Sequence, residues 1–270
     1  MSSRSCNFLR RVAINGNSTL RGCRSFGGEK VIKAVSLDLW GTIIENEKGP
    51  LESYTLMKLE ALRYSLSKYR SIEIDDLLRT YMKIMRYKDT IPPRLFARIL
   101  ALLQGFEPSN PVTEEAVRAY EEAVYAYKPK VMEGAQILLE YVKKRGLKVV
   151  VVSNTSFSAK AIAKILENSG LLQYIDYIVS SADTEVVKPN PRIFYAALKA
   201  VNVEPSEAVH LGDSCVRDVI GAYLAGIKPI LLARSEEAIE LCRQIPELRV
   251  VKSLEEVVKV LEEASSLRTR

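Results

Sequence analysis

Three aspartates, a lysine and a serine carry the chemistry of this sequence: Asp38, Ser153, Lys188, Asp213 and Asp218. Carboxylates brought together repel unless a cation sits among them. Oxygen donors with no His or Cys favour a hard ion, Mg²⁺. A lysine beside them neutralises an anionic substrate. Ser153 can donate a hydrogen bond to a phosphoryl oxygen, and Asp38 is then a candidate nucleophile forming an acyl intermediate. Thr42 and Asn154 are candidate substrate contacts, Asn154 with the alternative of only shaping its loop.

These residues meet only if the elements before them end at one place. Val31 to Ile44, VIKAVSLDLWGTII, begins as an apolar, β-branched run ending on Asp38 and Gly41-Thr42. That is the pattern of a buried parallel strand. Leu147 to Val152 contains four valines in a row, which suits a sheet buried on both faces, and ends at Ser153-Asn154-Thr155. Tyr177 to Val179, Ala208 to Leu211 and Ile230 to Leu232 read as further strands. Helices are expected between them: Glu133 to Arg145 stopped by Gly146, Phe157 to Asn168, one opened by Pro191, one carrying Asp218, and a last one behind the Ser253-x-x-Glu256 capping box. Alternation with short loops implies a doubly wound parallel sheet, Rossmann-like in layout. Ligands bind such sheets at the carboxyl ends of the strands, where all five residues fall.

One block breaks the alternation. Between Tyr54 and Tyr127 the period is helical throughout. Stripes run through Leu56, Leu59, Leu62, Leu66 and Tyr69, through Leu78, Tyr81 and Met85, and through Val117, Tyr120 and Val124. Pro92-Pro93 and the stretch from Glu107 to Pro111 divide it into separate helices. The expected organisation is a core of 31–47 and 131–270 with an all-helical insert at 48–130. Lys58, Arg63, Arg70 and the other basic residues of the insert read as a solvated face.

Composition bounds the rest. The 270 residues are 47% hydrophobic, with no apolar run of membrane-span length. The net charge of +6 is concentrated in residues 1–30, which hold six basic side chains against Glu29 alone. The remainder is near neutral and makes no case for nucleic acid. The first 30 residues read as a disordered tail, with the composition of an organelle transit peptide as the alternative. Cys6, Cys23, Cys215 and Cys242 form no C-x-x-C pair, so neither a zinc site nor a disulfide is expected and a reduced cytoplasm fits. Cys215 and the single His210 read as core packing.

Four motifs in order give a family resemblance: Asp38-Leu39-Trp40-Gly41-Thr42, Val152-Ser153-Asn154, Lys188-Pro189-Asn190-Pro191, and Gly212-Asp213-Ser214 through Asp218. The chain resembles the haloacid dehalogenase superfamily over residues 31 to about 233. The resemblance implies a Rossmann-like core with a helical cap inserted after the first motif. It implies that Asp38 attacks, that Ser153 and Lys188 stabilise the transferred group, and that Asp38, Asp213, Asp218 and the backbone carbonyl of Trp40 hold Mg²⁺. It implies a small anionic substrate.

The sequence departs from the family at Trp40. Phosphatases of this kind usually carry a second Asp there as general acid and base, and indole has no proton to give near neutral pH. Losing a positioned acid costs about 10²–10⁴ in rate. The 2-haloacid dehalogenases also lack that Asp, because a departing halide needs no proton. Asp213 points the other way: metal-free dehalogenases usually have a neutral residue there, and no counterpart of their halide-cradling Arg is evident. The expectation is a Mg²⁺-dependent phosphatase, with a dehalogenase-like hydrolase and a non-catalytic phosphate-binding module as alternatives.

Overall fold

The run Val149–Val152 is completely buried within a six-stranded, all-parallel sheet. The structure is a computed structural model that describes residues 31–47 and 51–266. The segment expected to be a tail, with Cys6 and Cys23, lies outside the described residues.

The strands are β1 (Ala34–Leu37), β2 (Lys148–Ser153), β3 (Tyr177–Ser180), β4 (Ala208–Gly212), β5 (Lys228–Leu232) and β6 (Arg249–Val251), in the order β3-β2-β1-β4-β5-β6. The chain winds outward from β1 in both directions, so the switch point lies beside β1, where an open α/β sheet leaves its crevice. Ala34–Leu37 pair with Lys148–Val151 on one side and Ala208–Leu211 on the other. This register brings the ends of β1, β2 and β4 level.

Alternation along β1 separates two cores. Val35 and Leu37 pack with Leu138, Leu139 and Val142 of α5 (Ala135–Lys144), Ile162, Ile165 and Leu166 of α6 (Ala159–Asn168), and Leu254, Val257 and Leu261 of α10 (Leu254–Ser266). Ala34 faces Ile193, Phe194, Ala197 and Leu198 of α7 (Pro191–Ala200), with Ala222 and Ala225 of α8 (Gly221–Ala225). Both faces are covered, which explains strands that are apolar on each side. Pro191 is the first residue of α7, and Asn190 caps it by accepting from Arg192 N at 3.1 Å.

Between β1 and β2 stand α1 (Ser53–Ser67), α2 (Ile74–Ile84), α3 (Pro93–Leu103) and α4 (Pro111–Glu122). They share a separate apolar cluster in which Leu59, Leu62 and Leu66 meet Leu77, Tyr81, Phe96, Leu100, Val117 and Tyr120. The stripe on α1 is narrower than its sequence suggests. Leu56 is exposed and Tyr69, also exposed, lies past the end of the helix, while Thr55 and Lys58 are buried. Lys58 therefore leaves the solvated face on which it was expected.

Two further features correct the sequence reading. β6 was not foreseen, because only Val251 of its three residues is buried and no alternation marks it. Cys215 and Cys242 are bonded in a disulfide across 27 residues, with Cα atoms 5.6 Å apart. Their pairing depends on α9 (Glu236–Cys242) packing against the turn that carries Cys215, a contact no spacing rule encodes. Among the described residues no helix is long and apolar enough to cross a membrane.

Candidate active site

At the carboxyl edge of the sheet, Asp38 follows β1, Ser153 ends β2 and Asp213 follows β4. Lys188 comes from the loop before α7, and Asp218 from a π-helical turn, Cys215–Ile220. Asp38, Asp213 and Asp218 each offer an oxygen within 4.8 Å of the others. Lys188 Nζ lies 2.5 Å from Asp38 Oδ1 and 2.6 Å from Asp218 Oδ1, all three side chains being buried.

The electrostatics follow from that placement. Burial lifts the Asp38 carboxyl to about 6 against the pull of Lys188, and the charges of Asp218 and Asp213 add to the rise. Burial also works to raise Asp218, but the Lys188 ammonium and the His210 contact hold it below the usual carboxylate range. Lys188 is raised because its two carboxylates outweigh desolvation. Asp213 is raised by burial and then by Asp218.

The remaining predicted residues divide into holders and open groups. Thr42 Oγ1 donates to Asp38 Oδ2 at 3.3 Å, so it steadies the candidate nucleophile. Asn154 takes Lys188 N on its Oδ1 at 2.7 Å and donates Nδ2 to Lys188 O at 3.0 Å. Its amide is thus engaged in fixing the lysine. Ser153 Oγ and Asp213 Oδ1 are buried without a hydrogen-bond partner. Unpartnered buried polar atoms are rare in native folds and call for a ligand, ion or water. Asp213 sits among the aspartates near the Lys188 ammonium, surroundings that suit a hard cation, and Ser153 ends β2, the strand next to β1.

Glycine makes the close approach possible. A Cβ on Gly41 would lie 2.2 Å from Asp213 Oδ2, and Gly41 has φ +78°. A Cβ on Gly212 would lie 2.3 Å from Asp218 Cγ. The indole of Trp40 turns toward the helical segment, with its ring centroid 5.5 Å from Tyr54 and 5.6 Å from Phe157.

Arg234 was not foreseen from sequence, and His210 was read only as packing. Arg234, just beyond β5, donates Nη2 to Gly41 O at 2.8 Å and so pins the Asp38 loop. Its position past a strand's carboxyl end was the available signal. His210 lies in the core as expected, opposite Ser36 in the β1–β4 register, with Nδ1 2.8 Å from Ser36 Oγ. Its Nε2 is 3.4 Å from Asp218 Oδ1. Burial lowers its pKa, and an ionised Asp218, which can only accept, is satisfied by the tautomer with the proton on Nε2.

A parallel α/β sheet with carboxylates gathered at its carboxyl edge is the arrangement to be compared with known proteins. Residues 32–226 match the family described as haloacid dehalogenase-like hydrolase, and the chain belongs to that family. It is 35% identical over 167 residues to the mouse haloacid dehalogenase-like hydrolase domain-containing protein 3, the match covering 61% of this chain and 65% of that protein. The alignment thus spans less than two thirds of that relative's length. It is 26% identical to the glyceraldehyde 3-phosphate phosphatase of Methanopyrus kandleri, over 76% of this chain and 86% of that one. Among solved structures, a 2-haloacid dehalogenase from Pseudomonas syringae superposes with TM-score 0.62 at 22% identity, covering 86% of this chain and 99% of the other. A phosphatase of the same superfamily from Thermococcus onnurineus superposes with TM-score 0.56 at 25% identity, covering 85% and 98%. Both chemistries share this fold, so the fold does not choose between them.

Proposed function

We propose that the chain is a Mg²⁺-dependent phosphatase acting on a small phosphorylated metabolite through an aspartyl-phosphate on Asp38. The observation that carries this reading is Asp213, a third carboxylate gathered with Asp38 and Asp218 beside the Asp38–Lys188 ion pair, its buried Oδ1 without a hydrogen-bond partner. A site built only to expel halide has no use for a third carboxylate. The similarity to a glyceraldehyde 3-phosphate phosphatase supports a small phosphate ester as substrate.

In this reading an oxygen of Asp38 attacks phosphorus and the bond to the leaving oxygen breaks. Lys188 and Ser153 hold the phosphoryl oxygens as charge redistributes. Thr42 and Asn154 keep Asp38 and Lys188 in place. Water then cleaves the acyl phosphate, releasing phosphate and restoring Asp38. Asp38, Asp213, Asp218 and the Trp40 carbonyl would hold Mg²⁺, which supplies charge neutralisation for the phosphoryl group. The helices α1 to α4 serve as the cap over this edge, with Trp40, Tyr54 and Phe157 at the junction.

Trp40 supports a second reading, a dehalogenase-like hydrolase in which Asp38 displaces halide from carbon and forms an ester. An aryl phosphate and a 2-chloro acid, each assayed with and without chelator, separate the two. Phosphate release abolished by chelator is expected; chelator-resistant chloride release with no phosphate release overturns the phosphatase reading.

A further inference from the structure

Among the described residues, the buried charged side chains Asp38, Lys188 and Asp218 belong to the candidate site; Lys58 does not. It is 3% exposed, projects from α1, and reaches the loop that follows Ser153. Its Nζ donates to the carbonyl of Ser156 at 3.1 Å and approaches Ser156 Oγ at 3.4 Å. Aromatic rings flank it: Nζ is 4.4 Å from the centroid of Tyr120 on α4 and 4.8 Å from that of Phe157. The charged groups around it are Glu52 before α1, Lys88 and Asp89 after α2, and Glu121 on α4. Among the described residues no carboxylate forms an ion pair with Lys58; the amine sits between two rings, facing a backbone carbonyl.

A buried amine without a counter-ion is costly, and an apolar side chain of the same length would serve packing better. Burial pulls Lys58 down to about 7, with Lys88 adding to the fall. What the amine gains is a hold on one loop. That loop is stitched at several further points: Thr155 N donates to Ser181 Oγ at 3.0 Å, Ser181 Oγ contacts Asp89 O at 3.0 Å, and Ser180 Oγ donates to Phe157 O at 2.5 Å. Lys58 and Asp89 are the contributions of the helical segment. The stitched loop begins at Ser153, whose hydroxyl the proposed chemistry needs in register with Asp38 and Lys188.

We propose that Lys58 is a positioning residue: it bridges the helical segment to the Ser153–Ser156 loop through Ser156 and so holds the Ser153 hydroxyl in its working place. The proposal deepens the phosphatase reading and rests on it for its kinetic consequence, though not for its structural one. Misplacement by about 1 Å of a group that orients substrate costs on the order of 10²-fold, so the loss sits in kcat.

The test uses the full chain and Lys58→Met, which keeps length and removes the donor. On an aryl phosphate, kcat falls roughly ten- to hundredfold with KM within about threefold, and the melting temperature does not fall. Hydrogen–deuterium exchange speeds up in the peptide covering residues 153–158 and not in the central strands. Wild-type kcat together with wild-type exchange in that peptide overturns the proposal. So does a kcat loss accompanied by a lower melting temperature and faster exchange throughout, the mark of a merely structural lysine. If the wild-type chain releases no phosphate, the phosphatase reading fails and the exchange experiment alone decides this one. If Lys58→Met does not fold, Lys58→Leu, which also removes the donor to Ser156, replaces it with the same expected and overturning results.

Discussion

Lys188 Nζ lies 2.5 Å from Asp38 Oδ1, across 150 residues of sequence. The ammonium shares itself with Asp218, so neither carboxylate is left as an uncompensated buried charge. Asp38→Asn keeps an acceptor for the lysine and the Thr42 contact while removing the nucleophilic charge. Turnover is expected to fall below detection, with the fold retained. Steady-state kinetics and a thermal melt check this, and substantial activity in a folded Asn variant rules out the proposed role.

Asp213 is held in a site that suits a cation better than it suits the protein alone. Its Oδ1 has no hydrogen-bond partner, and its neighbour Asp218 repels it. Asp213→Asn is therefore expected to stabilise the metal-free fold slightly, by up to about 1 kcal/mol, while lowering Mg²⁺ affinity at least tenfold. Calorimetric titration with Mg²⁺ and melts in chelator give the two numbers. Unchanged affinity excludes Asp213 as a ligand.

Gly41 answers to both backbone and space. Its φ of +78° disfavours any side chain, and a Cβ would meet Asp213 Oδ2 at 2.2 Å. Gly41→Ala is expected to cost about 1–3 kcal/mol and to remove activity by displacing the carboxylate. Denaturant unfolding beside kinetics measures it; a fully active, fully stable Ala variant shows that the loop can relax at no cost.

Trp40 bears on the leaving group. Without a general acid, the departing oxygen leaves unprotonated, so rates are expected to fall steeply from acidic aryl phosphates to alkyl phosphates. Trp40→Asp supplies the missing acid and is expected to help alkyl phosphates most, up to roughly 10²–10⁴. The indole packs on Tyr54 and Phe157, so its removal also opens space. A folded variant with no gain on alkyl phosphates, beside a natural protein indifferent to leaving-group acidity, places the proton donor elsewhere.

Lys58 gives a stability signature in pH. Its pKa falls from 10.5 to about 7 on folding, because burial disfavours the charged amine. Between those values the unfolded chain holds a proton that the folded chain lacks, so stability rises with pH across the window. The penalty is fully present below about 7 and gone above the unfolded value; its ceiling is on the order of 5 kcal/mol. The stability advantage of Lys58→Met over the natural chain is thus expected to be largest near pH 6 and to shrink toward pH 10. Urea unfolding at several pH values measures the difference, and a pH-independent one contradicts a buried, depressed lysine.

Local pattern was enough to recognise five of the six strands and the edge on which the candidate residues fall. Four valines in a row need a sheet covered on both faces. Parallel strands share one carboxyl edge, so Asp38, Ser153 and Asp213 fall on that edge once each strand is recognised. Which groups touch was another matter. Asn154 clamps the backbone of Lys188 across 34 residues, Arg234 reaches Gly41 across 193, and Cys215 joins Cys242 across 27. Lys58 is buried where its type predicted exposure, because α1 presents it to Tyr120, Phe157 and a backbone carbonyl. β6 owes its place to pairing with β5, since its own residues carry no alternation. Helical and strand periods are written between near neighbours, and the sequence alone could determine them. The partners of a buried amine, amide or thiol depend on how whole elements pack, and only the tertiary structure decided those.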